Sequence, residues 1–458
     1  MGYWALQATQ QLGDLREGLD TPLLSRMTGL IGIVIIVGIA WMLSTDRRRV
    51  NWRLVGLGVG LQAALGFLVL KTHVGRILFQ TANSAFTELL GFTQQGASFV
   101  FGNLVHDNVP IGTPTGAPPE MSELQTVELW ANTGSFFAFT VLPTIIFFAS
   151  LTSILYYMGV LQWVVRGIAW VMQRVMRTSG AETLSVAGNI FVGPTESPLL
   201  IKPFIGGMTQ SELNTVMVGG FATIAGGVMA AYVAMLSPYF SDIAGHLLTA
   251  SVMNAPAALL ISKLLVPEVG DPVTRGGWGV TVERTEANLI DAAASGAAQG
   301  LKLALNVGAM LLAFVALIAL FNAVLVALGG FIGVPNLSLE WILGWLFRWI
   351  ALAMGVPWGE AGYVGSLIGV KIVLTEFIAY LQLAANLGSS APLSPKAAVI
   401  ATYALLGFAN LPSIAIQIGG IGGIAPERRG DLSRLGLRAM IGGNLAAFLS
   451  ACWAGILV

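Results

Sequence analysis

The chain has 458 residues, 55% of them hydrophobic and only 10% charged, and its 23 basic and 23 acidic side chains cancel. A soluble domain carries about a quarter charged residues, so the composition is that of a polytopic membrane protein, and the balanced charge removes any case for nucleic-acid binding. The single cysteine, Cys452, excludes an internal disulfide, and His73, His106 and His246 are scattered without metal-ligand spacing.

The first 27 residues are polar and mixed in charge. They lack the basic start, apolar core and small-residue cleavage site of a signal peptide, so the first apolar run is expected to be a retained span. A spanning helix needs roughly 20 apolar residues, with about 17 as the lower limit. Eight stretches satisfy this: Thr28–Ser44, Leu54–Leu70, Gly134–Met158, Thr215–Leu236, Leu247–Leu265, Leu301–Leu328, Ala397–Ile421 and Leu435–Val458. Three others are amphipathic and read as interfacial helices: Val74–Leu104, Leu161–Arg177 with Trp163 and Trp170, and Leu339–Trp349 with Trp341, Trp345 and Trp349 at the level of an aromatic belt.

Two apolar segments, Gly180–Phe204 and Trp358–Leu387, each contain one glutamate preceded by threonine: Thr195-Glu196 and Thr375-Glu376. An ionisable group at membrane depth is expensive and marks a functional site by default. Gly193, Pro194 and Pro198 interrupt the first segment, and Gly359, Gly362, Gly365 and Gly369 are expected to interrupt the second. Such segments read as re-entrant hairpins, because broken backbone is tolerated there only where protein or a water-filled cavity satisfies it; two kinked spans are the alternative. The basic clusters favour hairpins. Arg47, Arg48, Arg49 and Arg53, then Arg166, Arg174 and Arg177, then Lys263, Arg275 and Arg284, then Arg428, Arg429, Arg434 and Arg438 all fall on one side only with eight spans and two hairpins. Both termini are then outside.

Each hairpin is followed by a span with a small or polar break, at Phe221–Val228 and at Gly407–Ala415. Hairpin plus broken helix, twice and in opposite orientation, is the pattern of secondary transporters with inverted repeats, whose site lies near the midplane. Glu196 and Glu376 can accept from hydroxyls or hold a cation. Asn410 and Ser413 share a face if the helix continues between them, and Pro412 is expected to break it and free carbonyls. No arginine stands among these groups, which suits a small neutral polyol better than an anion. Structural readings stand beside these: Asn189 capping a half-helix, Thr223 bonding back to its own helix, Lys202 snorkelling, and Lys371 pairing with Glu376. Val228 and Phe408 are apolar residues singled out only by their neighbours.

At these residues the chain resembles the concentrative nucleoside transporters. The resemblance is carried by Gly188-Asn-Ile-Phe-Val-Gly-Pro-Thr-Glu-Ser-Pro198, Thr375-Glu-Phe-Ile-Ala-Tyr380 and the long run Gly407–Arg429. It extends from about Gly91 to the C-terminus, and the eight-span form is similar to that of the bacterial members. It implies an all-α inner-membrane homotrimer that imports nucleosides by an elevator-like cycle, usually with sodium, and that needs no cofactor beyond the coupling ion. In this reading 1–158 is mainly scaffold, 159–267 the first transport repeat, 268–335 a cytoplasmic loop and the sixth span, and 336–458 the second transport repeat. Carried over, Thr195, Glu196 and Val228 meet the nucleobase; Glu376, Asn410 and Ser413 bind the ribose hydroxyls, with Phe408 lining the pocket. Asn189 and Thr223 by side chain, and Val192 and Ile224 by carbonyl, match the sodium site. Pro194 stands where the family usually has a base-contacting glutamine, and Pro412 where a small or hydroxyl residue is usual. These departures keep another ribosyl-like solute open as substrate, and a buried glutamate keeps proton coupling open. A passive channel would need a continuous polar stripe, and an intramembrane enzyme a nucleophile or metal; neither is found in the sequence.

Overall fold

A computed structural model describes residues 23–106, 108–111, 129–132, 137–274, 286–334 and 337–458. The polar segment 1–22, residues 134–136 of the third expected span, and Arg275 and Arg284 lie outside them. The described chain is helical apart from one antiparallel pairing of two short strands, β1 (Asn108–Ile111) and β2 (Leu129–Asn132).

The first five helices are α1 (Leu23–Met42), α2 (Trp52–Lys71), α3 (His73–Phe101), α4 (Phe137–Tyr157) and α5 (Val160–Met176). Asn51 and Thr72 cap α2 and α3 by accepting from the amides of Leu54 and Gly75, the expected use of short polar side chains at N-termini. The first repeat follows. Its hairpin is α6 (Gly180–Gly188), a turn, a 3₁₀ segment (Ser197–Ile201) and the single turn α7 (Lys202–Ile205). Its broken helix is α8 (Gln210–Ala222) and α9 (Gly226–Leu236), and α10 (Ile243–Leu265) closes it. Next come α11 (Leu289–Ile332) and α12 (Leu339–Ala353). The second repeat has the hairpin α13 (Ala361–Val373) and α14 (Glu376–Leu387), the broken helix α15 (Pro395–Leu405) and α16 (Leu411–Ile424), and the closing helix α17 (Arg429–Leu457).

Among the described residues, six helices are long and apolar enough to cross a membrane: α2, α4, α8 with α9, α10, α11 and α17. The remaining two expected spans are present in other forms. The apolar part of α1 is shorter, and Ala397–Ile421 is divided into α15 and α16, of 11 and 14 residues. The sixth span is longer than its apolar run. α11 has 44 residues, about 66 Å at 1.5 Å per residue, because the Ala-rich stretch from Leu289 is helix-favouring and Asn288 caps it, accepting from the amides of Ile290 and Asp291.

The two repeats pack crosswise. α8 lies on both α10 and α17, and α15 lies on the same two helices, so each first half-helix sits between the closing helices of both repeats. Small residues permit this approach, as is usual between membrane helices. The expected interruptions of the second hairpin are a correction of that kind. Gly362, Gly365 and Gly369 lie inside the unbroken helix α13 and face α12; a Cβ on Gly369 would fall 2.4 Å from that of Leu343. The chain turns instead at Leu374, where φ is −108° and ψ −98°.

Candidate functional site

Two helix breaks meet at the centre of the molecule. At the first, α8 stops at Ala222 and α9 begins at Gly226; at the second, α15 stops at Leu405 and α16 begins at Leu411. Broken helices leave carbonyls without helical partners, and side chains from neighbouring helices satisfy them. Asn254 of α10 donates to Ala222 O at 2.7 Å, and Asn444 of α17 donates to Ala409 O at 2.8 Å. These asparagines stand 32 and 35 residues after the carbonyls they cap, one in each repeat. Gln417 Nε2 donates to Met217 O, and Tyr380 Oη to Thr402 O.

Lys371 does the same, so the alternative of its pairing with Glu376 is not the arrangement found. Rather than forming an ion pair with Glu376, its buried ammonium donates to Ala404 O at 3.0 Å and Leu406 O at 3.2 Å. Pro412 is also reassigned. It occupies the first turn of α16, where its missing N–H removes no helical bond, and the break lies upstream of it. Asn410 is the cap of that helix, and its Oδ1 accepts from Ser413 N at 2.9 Å.

Glu376 opens α14 and is buried. One carboxylate oxygen accepts from Tyr232 Oη at 2.9 Å and the other from Asn410 Nδ2 at 2.7 Å. The ring of Tyr232 stacks on Tyr380 at 4.3 Å and meets Phe377 edge-on at 5.2 Å. The structure thus assembles Glu376, Asn410 and Ser413 from hairpin 2 and α16. It adds Tyr232, one turn after the buried Val228 on α9, which sequence reasoning missed because a tyrosine in an apolar run carries no signal of its partner 144 residues away. Phe408 lies in the second break and is half-buried.

Glu196 differs from its expected twin. It is exposed at the tip of hairpin 1, and its Oε2 accepts from Gly193 N at 2.9 Å, within its own turn. Thr195 packs on α16, where a Cβ on Gly420 would fall 2.5 Å from Thr195 Cγ2. Pro194 and the Gln417 amide both lie against Gly220, each 2.9 Å from where a Cβ there would stand. Lys202 is exposed, in keeping with a snorkelling role.

Of the four residues matched to a cation, Asn189 and Thr223 both lie against Gly219. Gly226 N donates to Phe191 O at 2.9 Å, tying the hairpin-1 turn to the first break. Thr223 Oγ1 donates to Gly219 O at 2.9 Å, so it bonds back to its helix and keeps its lone pairs. The Asn189 amide lies against the same Gly219. Asn189 does end α6 through its backbone, yet its side chain is buried and neither Oδ1 nor Nδ2 has a partner. Among the described residues no donor reaches the carbonyls of Val192 or Ile224. An orphaned buried amide costs about 1–3 kcal/mol per group. An all-oxygen set of one amide, one hydroxyl and two carbonyls fits a hard monovalent cation.

Three family models match the chain in succession: the Na+ dependent nucleoside transporter N-terminus over residues 31–104, nucleoside recognition over 138–239, and the Na+ dependent nucleoside transporter C-terminus over 246–455. The uncharacterized transporter YutK of Bacillus subtilis is 42% identical over 94% of this chain and 99% of its own length. The chain belongs to the sodium-dependent nucleoside transporter family. It is accordingly an all-α, multi-pass membrane protein. Sodium/nucleoside cotransporter 1 of Rattus norvegicus is 41% identical over 94% of this chain, which spans 64% of that relative's length. The solved structure of CNTnw in an inward-facing substrate-bound state superposes with a TM-score of 0.83 at 42% identity, covering 94% of this chain and 98% of that one. Variants of CNTnw in outward-facing and intermediate states match at TM-scores of 0.85 and 0.84, with 42% and 43% identity; each covers about 94–95% of this chain and 98–99% of its own.

Proposed function

We propose that this member of the family is a secondary active transporter, not an enzyme, that imports nucleosides across an inner membrane in symport with sodium. The observation that carries the reading is the pairing of two polar sites across the crossed breaks. One is Glu376 with Asn410 and Ser413, suited to ribose hydroxyls; the other is the partnerless Asn189 amide beside Thr223, suited to sodium. In this reading Thr195, Glu196 and Val228 meet the base, Phe408 lines the pocket, and Val192 and Ile224 complete the ion's shell by carbonyl. Each monovalent charge carried inward across 100 mV adds about 2.3 kcal/mol of drive.

Alternating access by an elevator-like movement of the two repeats against a scaffold of α1–α4 and α11 is in keeping with the inward-facing, outward-facing and intermediate states named for CNTnw. Eight crossings, counting α1 and the divided α15–α16, and a homotrimer in the lipid bilayer belong to the same proposal. The division of the chain at 158, 267 and 335 belongs to it as well.

Uptake of labelled uridine and adenosine into proteoliposomes tests the reading, under an inward sodium gradient, an inward proton gradient, or neither. Accumulation with sodium alone is the expected result. Accumulation with protons alone would move coupling to a carboxylate, and no uptake of either nucleoside by folded protein would redirect the site to another solute, with Pro194 and Pro412 the first residues to revert. Asn189→Ala is expected to raise the half-saturating sodium concentration about tenfold, the equivalent of one ligand worth ~1.4 kcal/mol, while maximal rate at saturating sodium falls less. An unchanged sodium curve would place the ion elsewhere.

A further inference from the structure

Resting on the sodium-coupled reading, we propose that Lys371 is a built-in cation: its ammonium occupies in the second repeat the place that a sodium ion takes in the first. The element order makes the two places equivalent. In each repeat a hairpin is followed by a half-helix that stops, and the end of the hairpin's first arm sends one polar side chain to that half-helix's last turn. In the first repeat the side chain is Asn189, lying against Gly219 of α8. In the second it is Lys371, donating to Ala404 O and Leu406 O at the end of α15. The C-terminal end of a half-helix presents partial negative charge and loose carbonyls, and it attracts a cation in either case.

The charges available differ in a complementary way. The only lysine or arginine of hairpin 1 is the exposed Lys202 that opens α7, away from the break, and hairpin 2 between Ala361 and Leu387 contains the buried Lys371 alone. The second repeat also carries the buried carboxylate of Glu376, whose oxygens are taken by the neutral donors Tyr232 and Asn410. Lys371, with the ring of Phe448 5.9 Å from its ammonium, supplies the positive charge that this half of the site otherwise lacks. One repeat therefore takes its cation from solution and the other carries it covalently. A single sodium accompanies each nucleoside as a consequence. Lys371 is a positioning residue here, holding the break that presents Phe408 and Asn410, and it makes no contact with substrate.

The test uses the full chain in proteoliposomes. Wild type is expected to take up uridine with a sodium Hill coefficient of one and to move one charge per uridine. Lys371→Ala vacates the carbonyls, and it should restore uptake only at elevated sodium, with a Hill coefficient approaching two, the number of sites then filled by ions. Lys371→Met fills the space without charge and should abolish uptake at every sodium concentration, whereas Lys371→Arg should keep the coefficient at one. A sodium curve for Lys371→Ala that overlays wild type overturns the proposal, and so does a wild type that moves two charges per uridine, a result that needs no variant to fold. In detergent, methylammonium should raise the apparent melting temperature of Lys371→Ala and leave wild type unmoved; equal effects on both would also overturn it. Absence of sodium-driven uptake in wild type counts against the functional reading, and the methylammonium arm then still decides the assignment of Lys371.

Discussion

Glu376→Gln is expected to lower nucleoside uptake by about 100-fold or more, with little loss of folded protein. A carboxylate is acceptor-only at both oxygens, and both are used: Tyr232 Oη donates to one and Asn410 Nδ2 to the other. A glutamine keeps one acceptor and turns a donor toward one of these donors. Hydrogen bonds to a charged group contribute about 1.5–3 kcal/mol each, so losing one ribose hydroxyl that the carboxylate is proposed to receive accounts for roughly 10- to 100-fold. A second ribose hydroxyl on the same carboxylate supplies the remainder. The Asn410 amide is coupled to the same change, because its Oδ1 caps α16 at Ser413 N while its Nδ2 holds Glu376. Uptake at saturating sodium, read beside the apparent melting temperature of the purified protein, checks the expectation. Full uptake by Glu376→Gln would remove this carboxylate from the substrate site.

Glu376 was legible in the sequence because a lone carboxylate in an apolar run has few physical explanations. The same logic did not foresee the setting of Glu196. Its run is just as apolar, but it sits at a turn tip where the chain exposes it and its own backbone satisfies it at Gly193, and no local pattern distinguishes a tip from a stem. The breaks near Thr223 and Phe408 were visible as polar and small residues within spans. What completes them was not. Asn254, Asn444, Gln417 and Lys371 reach carbonyls on other helices, and a sequence read segment by segment holds no information about which carbonyl lies opposite. Glycine is ambiguous for a related reason. In α13 it serves close packing on α12 without interrupting the helix, and only the neighbouring element decides which use applies. Asn189 shows the reverse limit. Its residue type allows capping or ligation, and the structure has it doing the first through its backbone and leaving its side chain available for the second.

Gly407→Ala is expected to be the most destabilising single-methyl change in the transport repeats. Gly407 has φ +105°, a conformation that costs a side-chain-bearing residue about 1–3 kcal/mol. Strain is the smaller part. A Cβ there would stand 2.5 Å from Phe221 O and 2.7 Å from Ala222 O, backbone atoms of the opposite repeat that no rotamer change can move aside. The Ala222 carbonyl is in turn held by Asn254 and immediately precedes Thr223. Separating the two breaks by the roughly 0.5–1 Å that a methyl needs would forfeit a quarter to a half of each contact's attraction along their crossing. It would also pull Thr223 and Ile224 away from the hairpin turn that carries Asn189. Both ligands should therefore weaken together, although Gly407 touches neither. The measurement is the apparent melting temperature of Gly407→Ala with and without sodium and uridine. A fall of several degrees with loss of protection by both ligands is expected. Wild-type melting with protection by both intact would mean that the two breaks are not in the contact described. Loss of uridine protection alone would mean that the crossing does not link the cation site to the substrate site.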